Sequence, residues 1–219
     1  MDAVTCDLLI LAAFHPELAP FEPLLGASLR ARVGSHEVVA RVVGIGATMA
    51  AVGAAMHLGE LAPRRAVLVG TCGAYAGSGL VLRDVAVPAR VRLAAPCVVD
   101  GLAEFPAPMS LVTSAHTPTV QGLVLAGGKP ADVAATLAIT VDDAAAARLE
   151  RATGDRVEHL EAHGVATACA ARGIPFAAAL GVANAVGSRG RQEWLAHHRA
   201  AAAAAIEVVT RWLRAGEAW

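Results

Sequence analysis

The chain reads as an α/β protein, a single domain over residues 1–219 with a mixed, mainly parallel central sheet flanked by helices. Three observations predict this. Short apolar runs suited to buried strands, "LLILA", "AVLVG" and "IPFAAALGVAN", alternate with longer stretches of helical rhythm. No internal repeat interrupts them, and no Pro/Gly linker is long enough to separate the chain into two domains. The 219 residues are 56% hydrophobic and 17% charged, which is enough for one sizeable core and too apolar for disorder.

Taken in order, Leu8–Ala12 is a strand apolar on both sides. Residues 33–43 hold two strands broken near His36 and Glu37. "GIGATMAAVGAAMHLGELAP" turns helical, with Thr48 as its cap and Pro63 as its end. Ala66–Gly70 is the next buried strand, followed at once by the turn "TCGAYAGSG". "DVAVPARVRLA" alternates as a strand whose Pro88 marks an edge or a bulge. Residues 96–133 are rich in Pro and Gly and keep no clean period, though "LVLA" at 123–126 has strand character. Ala134–Val141 is a strand running into the helix "DDAAAARLERA", whose first turn is acidic. "DRVEHLE" is a short strand leading to a helix over His163–Arg172, and residues 174–184 are a further buried strand. After a glycine-rich loop, Gln192–Arg214 closes the chain as a long Ala-rich helix.

Composition excludes several function classes. The formal net charge is −1, Lys129 is the only lysine and the arginines are scattered, so nothing electrostatic points to nucleic acid. No apolar run approaches the roughly 20 residues needed to span a bilayer. Leu8–Ala13 is short and preceded by Asp2 and Asp7, unlike a signal peptide. Cys6, Cys72, Cys97 and Cys169 lack paired spacing and read as buried, reduced thiols of a cytoplasmic protein.

In a sheet of this kind ligands sit at the carboxyl ends of strands. That directs attention to Phe14–Glu17, Gly44–Gly46, Gly70–Gly73, Thr140–Asp143, Glu158–Glu161 and Ala183–Arg191. Within "VEHLEAHG", the segment "HLEAH" superficially resembles the zinc helix H-E-x-x-H. Its Glu161, however, stands two residues after His159, about 200° around a helix and on the opposite face. A metal site is therefore not expected. Glu161 instead falls at a helix entry, near the positive end of the dipole.

Five stretches in order, "LLILAAFHPELAPF", "VVGIGATMAA", "LVGTCGAY", "VEHLEAHG" and "GVANAVGSRGRQEW", resemble the nucleoside phosphorylase/nucleosidase superfamily. Within it they look most like the futalosine hydrolases of the alternative menaquinone pathway. The resemblance implies that Glu17 activates the attacking water. It implies that Gly44 and Gly46 let the backbone approach a ligand, and that Thr71, Cys72 and Gly73 line the ribose and base pocket. The superfamily's phosphorylases carry a phosphate-holding arginine where this chain has Leu68, which points to water as the nucleophile. "VEHLEAHG" is similar to V-E-N-M-E-G-A-A, with His159 for Asn, Leu160 for Met, Ala162 for Gly, and His163 and Gly164 for two Ala. Glu161 then takes the role of the glutamate that grips the ribose hydroxyls, with His159 and Leu160 beside the substrate. The futalosine hydrolase pattern S-N-x-V-G-x-R-x-R-x-x-W is matched at Asn184, Val186, Gly187, Arg189, Arg191 and Trp194, with Ala183 for Ser. Adenine-specific nucleosidases have aspartate at the position of Asn184.

The resemblance thus implies hydrolysis of a purine nucleoside by Glu17, Glu161 and Asn184, with Gly46 and Arg189 also at the substrate, no cofactor, and a homo-oligomer. Breaking an N-glycosidic bond through an oxocarbenium-like sugar needs a base for water, an anion near the sugar and a donor to the leaving purine. An asparagine amide offers a donor and an acceptor, which suits a 6-oxopurine such as hypoxanthine. The competing readings are a methylthioadenosine/S-adenosylhomocysteine nucleosidase, a nucleoside phosphorylase, and a degenerate homologue that binds a nucleoside without turnover.

Overall fold

The computed structural model describes residues 6–216. In chain order the elements are β1 (Leu8–Ala12), α1 (His15–Leu18), α2 (Glu22–Leu25), β2 (Arg30–Val33), β3 (His36–Val42), α3 (Ala47–Leu61), β4 (Arg65–Ala74), β5 (Val85–Val87) and β6 (Arg90–Leu93). They continue with α4 (Pro96–Val99), β7 (Val112–Ser114), α5 (Thr117–Leu125), β8 (Lys129–Pro130), β9 (Val133–Ala135), α6 (Asp143–Thr153), β10 (Val157–His159), α7 (Ala162–Ala171), β11 (Phe176–Ala185) and α8 (Gly190–Ala215). All strands belong to one mixed sheet, ordered β2-β3-β1-β4-β10-β9-β6-β7, with β11, β5 and β8 branching from β4. Helices cover both faces. α3 and α7 pack on each other around one core cluster, and α8 lies along β11 over a second. The predicted α/β class is the one observed.

The branch at β4 positions the site. One edge of β4 pairs with β1 over Arg65–Leu68 and, further along, with the antiparallel β10 at Gly73 and Ala74. β1 runs with β4 and β10 runs against it, so their carboxyl ends approach each other along one edge and leave Val69–Cys72 between them. On its other edge β4 pairs with β11, whose register slips between Val182 and Asn184, so that Asn184 comes opposite Gly73. This bulge inserts Ala183 and re-aims Asn184, as bulges beside active sites do.

Several elements differ from the sequence reading, each for a local reason. β4 does not turn at Thr71 but continues to Ala74, because β11 pairs with it throughout. The break between β2 and β3 falls at Gly34 and Ser35, and His36 and Glu37 open β3. α3 begins at Ala47 after Gly46, a residue at φ 85°, so Thr48 is already inside the helix and caps nothing. Pro88 splits the expected strand in two, with β5 bound to β11 and β8, and β6 bound to β7 and β9. "LVLA" lies in and just beyond α5, which Pro118 opens within its first turn, rather than in a strand. Of Ala134–Val141 only the first residues are strand, in β9. Cys97 is exposed, whereas Cys6, Cys72 and Cys169 are buried.

Candidate functional site

A cleft of about 340 Å³ opens where β1, β4, β10 and β11 converge. Glu17, Thr71, Cys72, Gly73, His159, Leu160, Glu161 and Asn184 all line it. Gly46 stands behind it, donating its backbone N–H to Glu161 Oε1 at 2.7 Å. Its positive φ makes glycine the residue that enters this turn without strain.

Glu17, on α1 just after β1, is only 4% exposed. Its Oε1 accepts from the Thr71 N–H at 3.0 Å and the Thr71 hydroxyl at 3.2 Å, and its Oε2 accepts from the Ala13 N–H at 3.2 Å. The Thr71 hydroxyl also accepts from the Trp194 indole N–H at 3.0 Å. Trp194 thereby occupies a lone pair of that hydroxyl, whose one proton goes to Glu17. Burial, and next the charge of Glu161, push the Glu17 carboxyl up from 4.5 to about 7, while the three donors pull the other way. The result is a carboxyl poised near neutrality, as a general base for water requires. Gly70 makes room for it, because a Cβ there would lie 3.0 Å from Glu17 Oε1.

Glu161 is 6% exposed at the N-terminus of α7. Beside it, His159 accepts two backbone N–H groups at Nδ1, from Glu161 and Ala162, each at 3.1 Å. Cys72 lines the cleft but points its thiol at the Leu180 carbonyl, 3.6 Å away, and burial pushes that thiol far above its ordinary range. It is no nucleophile. Asn184 donates one amide hydrogen to the Ala185 carbonyl at 2.8 Å, which leaves a second hydrogen and its oxygen for a ligand.

Arg189 is not brought to the cleft. It precedes α8, its side chain is 76% exposed, and it pairs with Glu193 at 3.5 Å. Arg191 lines the cleft in its place and, among the described residues, is the only Lys or Arg to do so. From sequence Phe14, Ile45, Thr140, Val141 and Glu158 fall within strand ends that face a ligand but carry no assigned role, Trp194 figures only in the family pattern, and Ile139 is not singled out; all seven line the cleft. Glu158 shapes one wall. Its carboxylate accepts from the Thr140 N–H at 2.9 Å, the Thr140 hydroxyl at 2.6 Å and Tyr75 Oη at 3.3 Å, which ties the 139–141 segment to β10. His163 sits half-buried on α7 outside the cleft lining. Gly164 is a packing residue, since a Cβ there would fall 2.3 Å from the Ala47 carbonyl oxygen where α7 crosses α3. Among the described residues no three His, Cys, Asp or Glu side chains group as a metal site, and no helix is long and apolar enough to cross a membrane.

Comparison with solved structures places this architecture. S-adenosylhomocysteine nucleosidase from Streptococcus pyogenes superposes with a TM-score of 0.85 at 17% identity over 100% of both chains. The methylthioadenosine/S-adenosylhomocysteine nucleosidase of Neisseria meningitidis gives 0.83 at 15% identity, over 95% of this chain and 99% of that one. Futalosine hydrolase of Helicobacter pylori strain 26695 gives 0.82 at 13% identity, over 94% of this chain and 96% of that one. Curated protein sequences give no match. At these identities the likenesses establish the fold, and family membership rests on the sequence profile of the phosphorylase superfamily, which matches residues 10–214. The chain belongs to the phosphorylase superfamily.

Proposed function

We propose that this protein is a nucleosidase that hydrolyses the N-glycosidic bond of a purine nucleoside, and that its substrate is futalosine, released as hypoxanthine and dehypoxanthine futalosine in menaquinone biosynthesis. The observation that carries the reading is the buried Glu17, held by three donors and poised near neutrality across the cleft from Glu161. Glu17 takes a proton from water as the water oxygen bonds to C1′ and the C1′–N9 bond electrons leave with the base. Glu161 holds the ribose hydroxyls and offsets the positive charge growing on the sugar. Asn184 donates its free N–H to O6 of the departing 6-oxopurine, and its carbonyl oxygen accepts from N7 once that nitrogen takes from solvent the proton that completes hypoxanthine.

Water rather than phosphate as nucleophile is supported at Leu68, which is fully buried within β4 and offers no charge. Arg191, in the cleft lining, suits a carboxylate at the far end of the substrate. A homo-oligomer is supported by the apolar row of Ile45, just before α3, and Met49, Val52 and Met56 along it, each more than half exposed, with Ile45 also in the cleft lining.

The test is incubation with futalosine, inosine and methylthioadenosine, each with and without phosphate. Hypoxanthine should appear from futalosine in the absence of phosphate. Release only with phosphate makes the protein a phosphorylase, and release of adenine alone assigns it to the methylthioadenosine nucleosidases. Asn184→Asp should lose at least tenfold in kcat/KM on futalosine, and undiminished turnover by that variant would remove the argument for a 6-oxopurine.

A further inference from the structure

His159 stands where the family pattern has asparagine, and the geometry around it assigns a purpose to the difference. Its side chain is 3% exposed. The Glu161 and Ala162 N–H groups both converge on Nδ1, so that nitrogen presents a lone pair rather than a proton. The 3.3 Å approach of Nδ1 to Glu161 Oε2 is therefore not an ion pair. Burial pushes this imidazole down, with the charge of Glu161 opposing, so the ring stays neutral. A neutral ring whose Nδ1 accepts carries its proton on Nε2. That N–H has no hydrogen-bond partner among the described residues, on a side chain that lines the cleft. Nε2 is not fully buried, so its N–H opens to the cleft, where a ligand or water completes it.

We propose that His159 is a specificity-determining donor whose Nε2–H bonds an acceptor oxygen on the sugar side of the bound nucleoside, beside the hydroxyls held by Glu161. The neutral ring adds this donor without cancelling the carboxylate charge next to it. An asparagine reproduces half of the arrangement. Its amide oxygen can take the place of Nδ1 and accept the two backbone N–H groups, but its side chain is too short to put a donor where Nε2 lies. Histidine at 159 is thus the asparagine cap extended by one donor into the cleft. The inference rests on the nucleoside-binding half of the proposed function and not on turnover.

His159→Asn separates the donor from the cap. In the parent protein at pH 7, the 15N spectrum of the histidine rings, with His159 assigned by its loss in His159→Asn, should show a neutral ring protonated at Nε2. His159→Asn should fold normally and bind inosine about tenfold more weakly, the value of one neutral hydrogen bond left unmade. That loss should vanish for one of 2′-, 3′- or 5′-deoxyinosine, the analogue lacking the accepting oxygen. An imidazolium or an Nδ1–H ring overturns the proposal. So does undiminished inosine binding by His159→Asn, and so does an equal loss toward inosine and all three deoxyinosines. Binding is read without catalysis, so a parent protein that binds nucleosides but releases no base defeats the hydrolase reading and leaves this one standing.

Discussion

Thr71→Val tests the poise of Glu17 directly. Valine keeps the shape of the side chain and the backbone N–H at 3.0 Å from Oε1, and removes the hydroxyl, which is both the donor at 3.2 Å and the acceptor of the Trp194 indole N–H. A hydrogen bond to a charged acceptor contributes about 1.5–3 kcal/mol. This one is long for an O–H donor, so the low end applies, and about 1.4 kcal/mol corresponds to about one pKa unit. The donor favours the ionised acid, so its loss raises the Glu17 carboxyl from about 7 to about 8. A general base acts when ionised, so the kcat/KM–pH profile of the parent should climb through an acid limb near 7. In Thr71→Val that limb moves up by about one unit. Turnover at pH 6 then falls about tenfold below the parent, while the plateau at pH 9 changes little. Trp194→Phe, which frees the Thr71 hydroxyl to turn elsewhere, should move the limb in the same direction by less. A uniform loss at both pH values, or a limb that moves down, refutes the reasoning and makes Thr71 a substrate contact rather than a donor to the base.

Glu17→Gln should abolish turnover and also alter how stability depends on pH. The folded-state carboxyl, at about 7, lies above its ordinary 4.5, so the contribution of this group is fully present below pH 4.5 and is lost as pH rises to 7, by about 3 kcal/mol in all. Urea denaturation at pH 5 and pH 7.5 should show the parent losing about 2 kcal/mol of that relative to the variant, and parallel curves would contradict a raised Glu17. Glu158→Ala leaves the Thr140 N–H, the Thr140 hydroxyl and the Tyr75 hydroxyl without their acceptor. That should cost about 2–4 kcal/mol and lower Tm by on the order of 10 °C. Circular dichroism would read it, and a melt within about 2 °C of the parent would show that Glu158 does not hold the 139–141 segment.

Much of the site was legible because a parallel strand leaves its ligand groups at its carboxyl end. The apolar runs of β1, β4 and β11 are bounded by glycines and acids, and the short β10 leads into Glu161, so Glu17, Thr71, Glu161 and Asn184 are legible in the sequence as candidates for the cleft. What escaped notice was held by distant contacts. Thr71–Ala74 has the Thr, Cys and Gly content of a turn, and only pairing with β11 makes it strand. The Trp194 bond to Thr71 joins residues 123 apart. The 136–141 segment has the apolar residues of a strand, yet Glu158 draws Thr140 out of the sheet. "LVLA" was ambiguous in kind, since an apolar run that short fits a helix turn or a strand equally. Arg189 and Arg191 alternate in sequence, and nothing local indicated which of them α8 would leave in the cleft lining.

The two carboxylates and the histidine constrain one another. Glu161 lifts Glu17 only while its own charge is not cancelled. A cationic His159, with Nδ1 3.3 Å from Glu161 Oε2, would cancel it and remove the second cause of the rise at Glu17, leaving burial, the larger one. The two backbone N–H groups on Nδ1 prevent this, because a proton there would face two others. The turn that starts α7 therefore sets the protonation of His159, and through Glu161 bears on that of Glu17, the proposed base on α1. Asparagine at 159 is neutral as well, so His159→Asn should weaken nucleoside binding while leaving the acid limb of kcat/KM near 7. A limb that drops by a unit or more in that variant would mean that the imidazole itself, not Glu161, helps to hold the proton on Glu17.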